Sequence, residues 1–88
     1  MTPVQLVAEL ESANGWRRDT AQRLLVTSRD KSTIATLSTM VTDGTRPTAR
    51  LHALCTLEGL GELSKEIVER ALQDPHPGVR RWAVRLAP

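Results

Sequence analysis

Two histidines and one cysteine are the first places to look for chemistry in this 88-residue chain. His52 and Cys55 stand three residues apart, a spacing that puts both on one edge of a helix. Such a pair becomes a nucleophilic site only when a third group orients the imidazole, and no such group is recognisable. His76 lies between Pro75 and Pro77, which predicts a solvated turn residue. A metal centre needs clustered His, Cys or carboxylate ligands. Glu62, Glu66 and Glu69 are spread along a helical period instead and read as a solvated face. With Cys55 alone, no intrachain disulfide forms. The expectation is a segment with no catalytic, cofactor-binding or metal-binding residues of its own.

The arginines carry a more regular pattern. The stretches "RRDTAQRLL", "ARLHALCTL" and "VRRWAVRLA" align without gaps, and each holds Arg-x-x-Ala: Arg18/Ala21, Arg50/Ala53 and Arg80/Ala83. Those arginines are 32 and 30 residues apart. With Val79, Ala83 and Leu86 turned inward, Arg80 falls at the border of the buried stripe, while Arg81 and Arg85 fall on the far side. A border arginine buries its stem and keeps its guanidinium in a polar rim. Turn carboxylates are its natural partners. The candidates for such a ladder are therefore Arg18, Arg50 and Arg80 with Asp43 and Asp74. Arg50 or Arg80 is expected to bond a turn carboxylate or backbone carbonyl of an adjacent unit.

The elements that position these side chains are all helical by period. Helices are predicted near residues 3–11, 16–27, 31–42, 47–58, 62–73 and 77–87. Their apolar stripes include Val4, Leu6, Val7 and Leu10 in the first, Ala21, Leu24 and Leu25 in the second, and Ile34, Leu37 and Val41 in the third. Ala49, Ala53, Leu57 and Leu60 follow in the fourth, then Leu63, Ile67, Ala71 and Leu72 in the fifth. Asn14-Gly15, Asp43-Gly44, Gly59-Leu60-Gly61 and Asp74-Pro75-His76-Pro77-Gly78 mark the turns. No segment alternates as a strand does. The apolar volume is Leu, Val, Ala, Ile and Met, with Trp16 and Trp82 as the only aromatics. Three helix pairs at a period near 31 predict one all-α domain, a solenoid with units of about 1–29, 30–60 and 61–88.

The stretch "DPHPGVRRWAVRLA" resembles a HEAT-like repeat, an antiparallel helix pair whose second helix begins with Val-Arg-x-x-Ala. "NGWRRDTAQRLLV" and "PTARLHALCTLEGL" are similar to the repeat stretch of large bacterial proteins known as membrane-bound dehydrogenases. The resemblance covers essentially the whole chain. It implies a right-handed α-α superhelix, with a propeller-like head before the repeats and a c-type haem domain after them in the parent protein. Cys-x-x-Cys-His is missing here, so that haem is not expected on this segment. A periplasmic or exported location follows if the resemblance holds.

In HEAT-like solenoids the second helices line the concave face. Eight arginines, at positions 17, 18, 23, 46, 50, 80, 81 and 85, fall on or just before those helices here. Trp16, Asp19, Arg23, Leu51, Cys55, Arg81 and Arg85 are the candidate interaction face. Glu9, Glu11, Glu62, Glu66 and Glu69 fall on the first helices. The net charge is only +2 and aromatics are scarce. A non-catalytic scaffold, docking a neighbouring domain or another protein, therefore fits better than the alternative, a basic groove for nucleic acid. No run approaches the roughly 18 apolar residues of a membrane span, and the N-terminus lacks a signal-peptide pattern. The chain is expected to belong to a longer protein. An exposed apolar strip formed by the last two helices, with Trp82, Ala83 and Val84 on the last, is expected to invite end-to-end association.

Overall fold

The computed structural model describes residues 2–29 and 31–86. It is all-helical, with no strand among the described residues. The helices are α1 (Pro3–Glu9), α2 (Gly15–Ser28), α3 (Ile34–Asp43), α4 (Pro47–Gly59), α5 (Lys65–Leu72) and α6 (Pro77–Leu86). A 3-10 turn, Lys31–Thr33, leads into α3 where the sequence predicts α-helix. The predicted extension of the last helix to residue 87 lies outside the described residues.

Local chemistry sets each boundary. Thr2 and Gln5 form a reciprocal capping box at α1, with Pro3 in its first turn. The α1 end tightens through i→i+3 bonds at Leu10, Glu11 and Ser12, so the helix stops short of residue 11. Asn14 caps α2, its side chain accepting from the Trp16 and Arg17 N–H groups. A Schellman motif closes α4: Gly61 has φ +74°, its N–H donates to Glu58, and the Glu62 N–H donates back to Leu57. Ser64 then caps α5 at the Ile67 N–H, which delays that helix from the predicted residue 62 to residue 65.

The helices pack as neighbours in sequence, α1 on α2, α3 on α4 and α5 on α6. The even-numbered helices also pack in a row, α2 on α4 and α4 on α6, and α3 packs on α5. The core runs through Leu6, Val7, Leu10, Leu25, Leu37, Val41, Leu54, Leu57, Val79 and Ala83. Gly59 lies so close to α2 that a Cβ there would stand 2.8 Å from the Val26 side chain.

Several inward assignments change. Val4 is 75% and Leu24 45% exposed, so neither joins the core. Val68, missing from the predicted stripe of α5, is buried. Ala83 is fully buried and α5 exposes no large hydrophobic, so the strip expected from the last two helices reduces to Val84 with part of Trp82.

Leu54 and Val84 occupy the same register position in α4 and α6, yet Leu54 is 0% and Val84 64% exposed. Leu54→Ala is expected to cost about 2–5 kcal/mol of unfolding free energy, whereas Val84→Ala stays within about 0.5 kcal/mol. Urea denaturation followed by circular dichroism checks both.

Candidate functional site: an arginine–carboxylate joint and an arginine-lined helix face

Arg18, Arg50 and Arg80 make the same first contact. Each donates from Nη1 to the carbonyl six residues earlier: Ser12 at 2.8 Å, Gly44 at 2.9 Å and Asp74 at 2.7 Å. The backbone carbonyl therefore belongs to the arginine's own helix pair, not to the adjacent one. This bond ties the start of each second helix to the turn before it.

Arg50 makes a further contact across pairs. Its Nε donates to Asp74 Oδ2 at 2.7 Å and its Nη2 to Oδ1 at 3.1 Å, a bidentate fork between α4 and the α5–α6 turn. The two side chains are only 12% and 4% exposed. Asp74 Oδ1 also accepts from the His76 N–H at 2.8 Å. Burial alone would raise the Asp74 pKa. The hydrogen bonds from Arg50 and His76, with the Arg50 charge, outweigh it and hold the carboxyl below its ordinary range. His76 itself is exposed, and its Nδ1 accepts from the Gly78 N–H at 3.0 Å, closing the first turn of α6.

Asp43 takes no part in this. It is exposed at the end of α3 and pairs with no arginine among the described residues. In register, Asp74 corresponds to Gly44, one residue later than Asp43. Glycine offers no carboxylate, and the buried Arg18 Nε is accordingly left without a partner. A carboxylate from the first pair fills the neighbourhood instead. Glu11 accepts from the Thr45 N–H at 3.3 Å and from Thr45 Oγ1 at 2.5 Å.

Several bridging residues were invisible to the repeat pattern. Gln22 Oε1 lies 2.7 Å from His52 Nδ1, joining α2 to α4, with Nδ1–H donating in the tautomer that oxygen requires. Glu9 pairs with Arg17 at 2.7 Å and Glu62 with Lys31 at 2.9 Å. Glu62, expected on a solvated face, is thus a bridging group, as are Glu9 and Glu11. Pairs as exposed as these contribute about 0–1 kcal/mol each.

His52 Nε2 stands 3.7 Å from Asp19 Oδ1. Burial pushes the imidazole pKa down, the Asp19 carboxylate opposes that shift, and the Arg18 guanidinium reinforces it. Cys55 is half-buried, and burial followed by the Glu58 charge pushes its thiol pKa up, away from the reactive thiolate. No group of three or more potential metal ligands occurs among the described residues.

On the solvent side of the even-numbered helices stand Asp19, Arg23, Arg81 and Arg85, all exposed, around the half-buried Leu51 and Cys55. Arg85 lies over the Trp82 ring at 4.8 Å. Trp16, 73% exposed, sits apart from them in a groove between α1 and α2 lined by Leu6, Glu9, Arg17, Thr20, Ala21 and Leu24. No helix among the described residues is long and apolar enough to cross a membrane.

No protein-family model, curated protein or solved structure matches this chain.

Removing Arg50 strands a buried carboxylate. Arg50→Ala is expected to cost roughly 3 kcal/mol, and Arg50→Lys to recover only part of it, because an ammonium cannot reproduce the fork. Denaturant melts at neutral pH measure both.

The folded chain holds the His52 proton more weakly than the unfolded chain does. Stability should therefore fall as pH drops below the ordinary value of 6.5 and through the lower folded-state value. Thermal melts of wild type and His52→Gln from neutral to mildly acidic pH check this, with the loss absent in the variant.

Proposed function

We propose that this chain is a right-handed stack of three HEAT-like helix pairs. It serves as a non-catalytic scaffold that docks a neighbouring domain or another protein within a larger, exported redox protein. It holds no cofactor of its own. The observation that carries the reading is the row formed by α2, α4 and α6. That row sets Asp19, Arg23, Leu51, Cys55, Arg81 and Arg85 along one side of the molecule. The packing order supports it too, since each pair packs on the next through its second helix.

The chemistry of the titratable groups points the same way. Arg50, Asp74 and His76 are tied up in joining and capping helices. Cys55 is held as a thiol. What is left for a partner is a set of guanidiniums around an apolar centre, a composition common in protein interfaces. A partner presenting carboxylates around an apolar contact would fit it.

The test compares charge reversals on two faces of the chain as bait. Arg23→Glu with Arg81→Glu and Arg85→Glu is expected to abolish capture of an acidic partner from the parent system. Glu66→Lys with Glu69→Lys, on α5, is expected to preserve it. Fluorescence anisotropy with a labelled duplex supplies the counter-test. Salt-sensitive binding lost in the arginine triple variant would replace this reading with the nucleic-acid one.

A further inference from the structure

We infer that the two outer helix pairs form a complementary docking surface, on which a second copy of this chain seats head to tail. The inference rests on the stack of three pairs proposed above and concerns that stack by itself, apart from any larger protein, naming a partner for its first and last pairs. Among the described residues, the exposed large hydrophobics lie on the outer pairs: Val4, Trp16 and Leu24 on α1 and α2, Trp82 and Val84 on α6. The middle pair exposes none.

The internal joints show what covers such positions. At the α2–α4 joint Gln22 meets the next pair at His52, and α6 packs in turn on α4. Leu54 shares the Gln22 position in α4, and Thr56 shares the Leu24 position. Both are 0% exposed between packed pairs. Val84 and Leu24 are the same two positions on the outer flanks, at 64% and 45% exposure. Seating α2 of one copy on α6 of another repeats the α2–α4 and α4–α6 packing and places Val84 against Thr20 and Leu24. The open groove lined by Leu6, Trp16, Ala21 and Leu24, about 420 Å³, receives the apolar edge of α6.

Charge and hydrogen bonding follow that register. Asp19, Leu51 and Arg81 are equivalent positions, so the line along the stack brings an exposed Arg81 beside the exposed Asp19 of the next copy. Arg80 is held by the Asp74 carbonyl just as Arg50 is held by that of Gly44. The guanidinium edge with which Arg50 grips Asp74 is open on Arg80. Ser12 occupies the Asp74 position of the first pair, and its Oγ accepts from the Asn14 N–H as the Asp74 carboxylate accepts from that of His76. The contact between copies is therefore Arg80 to a neutral hydroxyl, weaker than the internal joint. Such an interface is heterologous and open-ended.

Sedimentation velocity across a concentration series, with circular dichroism to confirm folding, tests this. Wild type is expected to rise in mass with concentration. Leu24→Asp and Val84→Asp should each be monomeric alone, and their equimolar mixture should form a dimer and nothing larger, through its one intact pair of ends. Ser12→Asp should tighten wild-type association on the order of tenfold by making the Arg80 contact a bidentate ion pair, and Arg80→Gln should cancel that gain. A wild type monomeric at every concentration overturns the inference, and the bait experiment on the arginine face is read independently of it. Association that persists in Val84→Asp alone overturns it in favour of a symmetric contact through α1 and α2.

Discussion

The Asp74 carboxylate is the point on which the last third of the molecule depends. One buried side chain accepts two bonds from Arg50 and one from the His76 N–H, while its own carbonyl accepts from Arg80. Turn geometry, the entry of α6 and the seating of α6 on α4 therefore share a single residue. An isolated buried carboxylate would be costly, and the fork with the His76 N–H offsets that cost by placing a donor on each oxygen. The bidentate geometry also fixes orientation, which a lone apolar contact between two smooth helices does not.

The equivalent joint between the first and second pairs is built differently. A glycine stands at position 44, and a Cβ there would lie 2.8 Å from the Met40 carbonyl. The joint is made instead by Glu11 with Thr45 and by Gln22 with His52. Arg18 keeps its carbonyl bond but has an unsatisfied Nε. One joint is a bidentate ion pair, the other joins a carboxylate to a threonine and an amide to an imidazole. The second has the weaker claim to rigidity, and it alone carries an imidazole whose protonation opposes folding.

These joints absorb most of the groups that looked chemically available. The Cys55 thiol is held protonated by burial, and His52 spends Nδ1 on Gln22. Arg23, Arg81 and Arg85 stay exposed, with the Asp19 carboxylate on the same side of the molecule.

The all-helical class was legible in the chain because a helix is a local object. Apolar residues at helical spacing, Asn14, Pro3, Pro47, Pro77 and the turn glycines act within a few positions of themselves. The importance of Arg50 and Asp74 was legible for the same reason, as a repeated border position and a turn carboxylate. What only the tertiary structure decided is who meets whom. Asp43 and Asp74 look alike as residues before or within turns, but a one-residue difference in register turns Asp74 under Arg50 and leaves Asp43 in solvent. Val4 and Leu24 look like core and lie exposed, because an amphipathic stripe records that a face is apolar, not whether another helix arrives to cover it. Gln22–His52 and Glu11–Thr45 span 30 and 34 residues, and neither repeats in the next unit, so no periodicity could announce them. Pairing over such separations is set by how the helices pack, which the local pattern along the chain does not encode.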